Sequence, residues 1–560
     1  MLSKIIKFLE HVNSTSRSLF LVPEVKKMEF NDKWYKFDGF SNLPSPIRVL
    51  FGLNEGSWEI KKIEREGQGA SVSKHVIEIW GDENTGYASL IQLSKNRKGF
   101  LPEVVLEEPN QFSFRAFHLD IARGGVPTLH TLVEILKWLF ILKYNKFGIY
   151  FEDLFPWNDI QGIGKNRGRL SLTEWKNIVG TGASLGIDVF PSLELLGHME
   201  HILDLPKFQK FSEFWWMNTD CLDVSNTKAT DFTTSLLKDA IKKTKSNLIH
   251  IGGDETWLLG RGKSLDKLKS YKGPDLYLDY YQDLVRTVVA HKKTPMLWGD
   301  MLTGMYLTDD ARSMWSKVIN DPLWNEVLIA NWDYEPLDTK HFIKRIREIG
   351  HEDKQIVCPA LNNWSTFYPD FESAIRNVDS FITAAEVEQL PGYMITAWGD
   401  SGQESLFSFL NPLLMVSADH SSSSESWPRK FSVLFGEDIN SSYARFYAGT
   451  KSVGPALRNV IYSPISSLPQ RRTLPNNWQE EMKKFYRSAK RANLSPDMMF
   501  ILSMVSNAID LAERKFNKNS YIDMVHRYEK LWLKERKPEG LENVVSRLMG
   551  AFEVYRLRIM

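Results

Sequence analysis

The sequence predicts an α/β protein built on a (β/α)₈ TIM barrel, with a small N-terminal α/β domain and a helical C-terminal region. Between residues 114 and 400, eight short apolar runs alternate with stretches of helical periodicity. Strands that alternate with helices pair in parallel through right-handed crossovers, and eight such units suit a closed barrel. A doubly wound open sheet is the alternative, but the count of eight and the side chains at the strand ends favour the barrel.

The barrel strands are predicted from apolar runs bounded by polar or turn-forming residues. Amphipathic helices are predicted between them, for example over 128–143 and 274–293. Pro127 and Thr128 precede the first of these helices, and both residue types suit a helix start. In chain order the predicted strands are 114–122, 146–153, 186–194, 247–255, 294–300, 326–334, 355–364 and 392–400.

The chain on either side of the barrel has a different pattern. Residues 1–112 mix short strands, predicted at 48–53 and 75–80, with Gly-rich and charged turns, which indicates a small α/β accessory domain. Residues 426–560 are predicted to be helical, because apolar residues recur at helical spacing over 497–516 and 521–537. The barrel then spans 113–425, with a Ser-rich surface loop at 421–426.

Composition argues against several classes of partner. The 560 residues include 70 Lys and Arg against 69 Asp and Glu, so neither nucleic acid nor an anionic membrane is expected. Cys221 and Cys358 are too few and too far apart for a disulfide framework or a metal knuckle. The first residues lack the apolar run of a signal peptide, and no stretch approaches a membrane span. We therefore expect a cytoplasmic protein that needs no metal or cofactor.

Polar and aromatic residues recur at the ends of the predicted strands, which is where TIM barrels build their active sites. The first four strands end in charged residues and the last four in Trp, at intervals of 32 to 34 residues. Indole rings stack on the C–H faces of sugars, while carboxylates and Arg bind hydroxyls, so the pattern predicts a sugar pocket. The residues are Asp120, Arg123, Glu152, Asp153, Glu194, His198, Asp254, Glu255, Trp298, Asp300, Trp332, Tyr334, Asn363, Trp364, Trp398 and Asp400.

Each of these side chains also has a purely structural interpretation. One Trp at a strand end usually packs between barrel and helix, and only its recurrence at four matched positions favours a site. His198 by itself is consistent with a structural histidine whose ring nitrogens are hydrogen-bonded. His250 lies in the middle of a predicted strand, which is typical of a core residue. Arg123 would serve equally as a surface charge in a loop.

The stretch HIGGDETW, residues 250–257, places two carboxylates side by side after an apolar strand and two glycines. Adjacent carboxylates repel each other unless their surroundings separate their protonation states. An exposed Asp-Glu pair is usually a solvated turn. The position of Asp254 and Glu255 at the end of a buried strand favours a site instead.

HIGGDETW resembles the His-x-Gly-Gly-Asp-Glu signature of glycoside hydrolase family 20, the β-N-acetylhexosaminidases. His250, Gly252, Gly253, Asp254 and Glu255 match it. The resemblance extends over residues 113–560 and suggests a divergent branch with a helical C-terminal extension. Further segments similar to the family are HLDIARGG at 118–125, FEDLFPW at 151–157, ELLGH at 194–198, WGDM at 298–301 and AWGDSGQ at 397–403.

The resemblance implies an exo-acting, retaining hydrolase that removes terminal β-linked GlcNAc or GalNAc through an oxazolinium intermediate. Asp254 would orient and stabilise the substrate's acetamido group, and Glu255 would act as general acid and base. The other implied roles are hydroxyl binding at C3 and C4 by Arg123, a supporting dyad of Asp153 and His198, a pocket wall of Trp298, Trp332 and Trp398 with Trp364 nearby, and binding of the outer hydroxyls by Asp400.

The sequence departs from the family pattern at three points. Leu196 replaces the proline before Gly-His, and Asp400 stands where many members have Glu. The tyrosine that binds the acetamido carbonyl has no clear counterpart, so Tyr334, Tyr368 and Asn363 are all candidates. A glycosidase of other specificity, such as one releasing a disaccharide, and a catalytically silent sugar-binding barrel are the alternatives. The intact carboxylate pair argues against the silent barrel.

Overall fold

The computed structural model describes residues 19–74, 76–109, 112–158, 160, 162–215, 219–303, 309–420, 426–465 and 474–559. The N-terminal part forms a five-stranded sheet in the order β1-β5-β3-β4-β2, antiparallel except for β2 and β4. Two helices, Ser45–Leu50 and Glu83–Asn96, accompany it. The strands are β1 (Lys27–Lys36), β2 (Ile60–Lys62), β3 (Gly69–Ser73), β4 (Val76–Trp80) and β5 (Phe100–Glu107).

The small α/β fold predicted for this part is confirmed, but one of its predicted strands is wrong. Residues 48–53 were expected to be extended, whereas Ser45–Leu50 form a helix. Pro46 lies in the first helical turn, where its missing N–H removes no hydrogen bond and its fixed φ favours the helix. The strand predicted at 75–80 is observed as β4.

The predicted eight-stranded barrel is confirmed. All neighbouring strands are parallel, and the last strand pairs with the first, as in Tyr393 with Arg115. This closing pair excludes the open doubly wound sheet. The barrel strands are β6 (Phe114–Asp120), β7 (Lys146–Tyr150), β8 (Asp188–Ser192), β9 (Leu248–His250), β10 (Thr294–Trp298), β11 (Leu328–Trp332), β12 (Gln355–Cys358) and β13 (Gly392–Ala397).

A long helix follows each barrel strand. Thr128 caps the first of them, its hydroxyl accepting the Thr131 N–H, as its position before the helix predicted. The eight helices are Leu129–Ile141, Leu172–Ser184, Thr227–Lys243, Gly273–Ala290, Asp309–Ile319, Thr339–Ile349, Phe371–Val387 and Leu410–Ala418. Short helical turns occupy Glu200–Leu203, Gln209–Phe211, Lys263–Leu268, Asp300–Thr303, Pro322–Glu326, Glu352–Lys354 and Phe407–Phe409.

The C-terminal part is helical, as predicted. The boundaries at 112 and 425 remain predictions, and residues 421–425 of the proposed Ser-rich loop lie outside the described residues. None of the helices in the described ranges combines the length and apolar character needed to cross a membrane. The C-terminal helices are Trp427–Phe435, Ile439–Ala448, Gly454–Ile461, Trp478–Ala489, Pro496–Ala512, Lys518–Glu535 and Leu541–Ile559.

The barrel interior is filled by its own cluster of buried side chains. Small and aliphatic residues such as Ala116, Leu248 and Met296 occupy the strands, whereas Trp298, Trp332 and Trp398 lie at the carboxyl ends of theirs. The aromatic end of this cluster therefore forms the floor beneath the mouth at which the predicted site residues gather.

Candidate active site

The backbone after β9 turns so that both adjacent carboxylates face the same histidine. Gly252 and Gly253 have φ of +76° and +102°, and Glu255 has φ of +49°. A Cβ on Gly252 would lie 2.2 Å from Glu194 Oε2, so a side chain there would collide. His198 Nε2 lies 3.5 Å from Asp254 Oδ2 and 3.4 Å from Glu255 Oε2. The pair therefore shares one side of the barrel mouth.

The carboxylate of Asp254 is held in its ionised form. Burial, the largest single influence, would raise its pKa, but the charge of His198, its hydrogen bond and a backbone hydrogen bond together lower the pKa of Asp254. Burial likewise disfavours the charged imidazole, yet Asp254 and Glu255 raise the pKa of His198 well above its usual value. An anion at Asp254 therefore faces a cation at His198.

Asp300 supports the pair from behind. Its Oδ2 accepts the backbone N–H of Glu255 at 2.8 Å, and its Oδ1 accepts the Trp332 indole N–H at 3.2 Å. Burial, followed by the nearby charge of Asp254, raises the pKa of Asp300 to about 7. The sequence placed Asp300 at a strand end without giving it a role. Its position two residues after Trp298 was the available signal.

Two further groups next to Asp254 are kept neutral by burial. Burial and the charge of Asp254 raise the pKa of Glu194 well above its usual value, which favours the protonated acid. Burial lowers the pKa of His250 to about 3, and its Nδ1 accepts the Gly252 N–H at 3.1 Å. His250 is thus a core residue, as its mid-strand position predicted.

Arg123 lies among three carboxylates at the opposite side of the mouth. Its guanidinium lies 3.0 Å from Asp120 Oδ2, 3.3 Å from Glu152 Oε1 and 3.6 Å from Asp400 Oδ1. The rings of Tyr150 and Trp398 also contact it, at 4.9 and 5.4 Å. Asp400 is 48% exposed in its side chain, so it and Arg123 offer polar groups to a ligand.

The predicted dyad of Asp153 and His198 is not formed. Asp153 Oδ2 accepts from Arg167 Nε at 2.9 Å, while His198 contacts Asp254 and Glu255. Glu152 takes the pocket side instead, where its Oε1 accepts from the Tyr150 hydroxyl at 3.3 Å. Consecutive side chains at a strand end point in opposite directions, and the sequence did not reveal which of the two acids faces inward.

Aromatic side chains from three neighbouring strands form one wall. Trp332 stacks on Tyr334 with ring centroids 4.9 Å apart, and Trp364 lies 5.5 Å from Tyr334. Trp398 Nε1 donates to the Tyr334 hydroxyl at 2.9 Å. Trp298 differs from its prediction: it is 0% exposed and packs on His250 at 4.4 Å, beneath the wall.

The three candidates for the acetamido carbonyl occupy different environments. Tyr368 is fully buried, and its hydroxyl donates to the Arg445 carbonyl at 3.0 Å. The amide of Asn363 bonds to both backbone groups of Trp398. Tyr334 alone of the three belongs to the aromatic wall and is partly exposed.

One group of residues in the described ranges has ligand atoms close enough for a metal ion. Glu152, Glu200 and His201 place these atoms within 4.8 Å of one another. Arg123 already pairs with Glu152, however, and burial together with Arg167 lowers the pKa of His201. The charges of Arg123 and Arg167 therefore oppose a cation at this position.

Comparisons with known proteins find relatives of the barrel region. Residues 112–340 match the family model for "Glycosyl hydrolase family 20, catalytic domain". The chain is 25% identical over 300 residues to Hexosaminidase D of Homo sapiens, covering 51% of this chain and 60% of that protein. It is 23% identical over 221 residues to Hexosaminidase D of Bos taurus, covering 38% and 62%. The chain thus spans about three fifths of the length of these curated relatives.

Solved structures share the fold. The β-N-acetylhexosaminidase of Bacteroides fragilis superposes with a TM-score of 0.58 at 17% identity, covering 75% of this chain and 96% of that one. The chitobiase of Flavobacterium johnsoniae superposes with a TM-score of 0.58 at 14% identity, covering 96% and 99%.

Proposed function

We propose that the chain is an exo-acting, retaining β-N-acetylhexosaminidase acting on terminal β-linked GlcNAc or GalNAc, because its residues 112–340 match the catalytic-domain model of glycoside hydrolase family 20. The observation that carries this proposal is the arrangement of Asp254 and Glu255 around His198. A sugar-binding protein without activity needs hydroxyl-binding groups, but it has no use for two carboxylates in such different surroundings.

The proposed reaction is assisted by the substrate. The acetamido oxygen attacks the anomeric carbon while Glu255 donates a proton to the departing glycosidic oxygen, so the C1–O bond breaks as an oxazolinium ring closes. Asp254 accepts the acetamido N–H and stabilises the positive charge. Glu255 then removes a proton from water, which attacks C1, reopens the ring and restores the β-configuration.

The unequal surroundings of the two carboxylates suit these roles. Asp254 is 7% exposed and lies against the charged His198, which favours a permanent anion. The side chain of Glu255 is 33% exposed, so the leaving group and the incoming water can reach it. Asp300 fixes the backbone of Glu255 and thereby the direction of proton transfer.

The remaining pocket groups would read the sugar. Arg123 and Asp400 would bind the ring hydroxyls, and Trp332, Trp364 and Trp398 would cover its apolar faces. Tyr334 alone of the three candidates is partly exposed in the aromatic wall, where its hydroxyl accepts from Trp398 Nε1 and also interacts with the Thr396 side chain. A bound acetamido carbonyl would accept the Tyr334 hydroxyl proton in place of Thr396. Tyr334 is therefore the proposed counterpart of the missing family tyrosine.

The test is hydrolysis of 4-nitrophenyl and alkyl β-GlcNAc and β-GalNAc glycosides. Glu255→Gln should reduce kcat/KM on the alkyl glycosides by about a hundred-fold or more, since their leaving groups need the acid. Asp254→Asn should be severely impaired on both kinds of glycoside. Glu348→Gln, on the exposed helix Thr339–Ile349, is the matched control.

Three outcomes would contradict the proposal. Binding of free GlcNAc without hydrolysis of any glycoside would identify a silent sugar-binding barrel. Release of a disaccharide from a short β-linked GlcNAc oligomer would identify another specificity. A normal rate for Asp254→Asn would exclude substrate assistance.

A further inference from the structure

The C-terminal region pairs directly with the loop that carries Arg123. Residues 535–537 run antiparallel to 126–128: Thr128 N donates to the Glu535 carbonyl at 3.0 Å, and Lys537 N donates to the Val126 carbonyl at 2.9 Å. The Glu535 carboxylate accepts the backbone N–H groups of Phe407 and Ser408. The segment therefore joins the loops after β6 and β13, and it lies outside the residues that match the family model.

Three glycines make this contact close. A Cβ on Gly540 would lie 1.6 Å from the Gly124 carbonyl oxygen. A Cβ on Gly124 would lie 3.9 Å from Gly402 Cα and 4.0 Å from Gly540 Cα. Gly124 follows Arg123, and Gly402 lies two residues after Asp400. The backbones next to Arg123 and Asp400 thus pack directly on one another and on the C-terminal segment.

Arg547, on the last helix, holds the loop after β13. Its Nη2 donates to the Ser401 carbonyl at 2.6 Å, and its Nη1 lies 2.8 Å from Glu404 Oε1. Its Nε donates to the Asn543 carbonyl within its own helix at 3.1 Å. Glu404 is fully buried in its side chain, so Arg547 gives a buried carboxylate a charged partner.

The loop that Arg547 holds, residues 399–404, also supports Arg123. Gln403 Nε2 donates to the Asp120 carbonyl at 2.6 Å, and Gly399 N donates to Asp120 Oδ2 at 2.8 Å. Asp120 in turn pairs with Arg123. The backbone of this loop and its hydrogen bonds thus connect Arg547 with both members of the Arg123–Asp400 pair.

From these contacts we infer that Arg547 is a positioning residue for sugar recognition. It fixes Asp400 relative to Arg123 and thereby determines which arrangement of outer hydroxyls the pocket binds best. Asp400 is half exposed and lies 3.6 Å from Arg123, so its own contacts restrain it weakly. The backbone at Ser401, which Arg547 binds, decides where its carboxylate points. The inference rests on the proposed function, because it concerns the same pocket.

The experiment compares Arg547→Met and Arg547→Lys with the wild type on 4-nitrophenyl β-GlcNAc and β-GalNAc. For Arg547→Met we expect KM to rise about ten-fold, as for the loss of one charge-assisted hydrogen bond, with kcat within about two-fold. The GlcNAc to GalNAc ratio of kcat/KM should change by about three-fold or more, since the two sugars differ at C4. Arg547→Lys should restore part of the wild-type KM and part of the wild-type ratio. Lysine keeps the positive charge but lacks the branched guanidinium that contacts Ser401 and Glu404 at once.

Arg556→Met is the matched control, because Arg556 lies on the same helix and pairs with the exposed Glu553. A double variant with Asp400→Asn should show less than the sum of the single effects if Arg547 acts through Asp400. If Arg547→Met does not fold, the same KM, ratio and coupling measurements on Arg547→Lys decide.

The outcomes separate the two proposals. Failure of the wild type to cleave either glycoside would contradict the proposed function. An active wild type whose Arg547 variants keep its KM and its GlcNAc to GalNAc ratio would overturn the inference. The inference would also be overturned if the Arg547 variants lowered only kcat and this effect added fully to that of Asp400→Asn in the double variant.

Discussion

Burial assigns different charges to acids that lie within one pocket. Glu194 and Asp254 are near neighbours, yet burial keeps Glu194 protonated while His198 keeps Asp254 ionised. Asp300 and Glu152 lie between these extremes, with pKa values raised to about 7 and about 8. Among these four acids the negative charge is thus concentrated on Asp254, because burial raises the pKa of the other three.

Glu152 makes the stability of the protein depend on pH. Burial raises its pKa to about 8, whereas glutamate in an unfolded chain titrates near about 4.3. The folded state therefore binds more protons over about pH 4.3–8, and this group's contribution to stability falls as pH rises through that window. When the pH is raised from about 5 to about 8.5, the Tm of Glu152→Gln should therefore rise relative to that of the wild type by at least about 2 °C. Thermal unfolding of both proteins at the two pH values measures this change. The exposed Glu348→Gln is the control, and a constant Tm difference would contradict the assignment.

Tyr334 is predicted to donate its hydroxyl proton to the acetamido carbonyl. Tyr334→Phe should lower kcat/KM on 4-nitrophenyl β-GlcNAc by about ten-fold or more, because the carbonyl that attacks C1 loses its hydrogen bond and its orientation. Tyr368→Phe is the matched control, since its hydroxyl bonds to the Arg445 carbonyl away from the pocket. Equal activity of the two variants would rule out this role for Tyr334.

Sequence located the pocket residues better than it oriented them. Arg123, Asp254, Glu255 and Asp400 each follow a barrel strand, and the carboxyl ends of parallel strands must meet at one mouth. Whether a side chain faces inward depends on backbone dihedrals at the strand end. Glu152 turns inward with φ of +47°, and nothing in the sequence distinguishes it from Asp153.

At the level of elements, apolar runs predicted every barrel strand but overestimated the length of each one. The fourth was predicted over 247–255, whereas β9 ends at His250 and the rest is a turn with positive φ. Apolar periodicity reports burial, and a buried turn at a barrel mouth resembles a strand in this respect. The pairing of 535–537 with 126–128 has no local signal, because it joins segments about four hundred residues apart.

The turn after β9 requires glycine for two reasons. At Gly252 the positive φ is unfavourable for other residues, and a Cβ would meet Glu194 Oε2. Gly252→Ala should therefore destabilise the protein by about 2 kcal/mol or more. Gly180→Ala is the control: Gly180 lies in the helix Leu172–Ser184 with open space around its Cα, so alanine should stabilise by about 0.5–1 kcal/mol. Urea denaturation of both variants checks this, and similar effects of the two would contradict it.

On the scale of the whole molecule, the flanking parts are connected to the barrel through buried polar contacts. The C-terminal part contributes the Glu535–Lys537 segment and Arg547 to the mouth loops. At the opposite end of the barrel, Lys143, at the end of the first long helix, pairs with Glu108 beyond β5. Both side chains are almost fully buried, at 1% and 0% exposure. Removing either partner of such a pair would leave an uncompensated buried charge, so the pair couples the stability of the two parts.

The Lys143–Glu108 pair gives the last prediction. Lys143 Nζ lies 2.7 and 2.8 Å from the two carboxylate oxygens, and the Ser89 hydroxyl also donates to Glu108. Lys143→Met leaves the Glu108 carboxylate buried without its cation, so it should cost about 3–5 kcal/mol in unfolding free energy.

The double variant Lys143→Met with Glu108→Gln should recover much of that loss, because no unpaired charge is left in the contact. Lys344→Met is the matched control: its partner Glu348 and its own side chain are exposed, so the change should stay within about 0.5 kcal/mol. Denaturant unfolding of the wild type, both single variants, the double variant and the control measures these differences. If the double variant were as unstable as the sum of its single variants, the contact between the N-terminal sheet and the barrel would depend on packing and not on the neutralised charge.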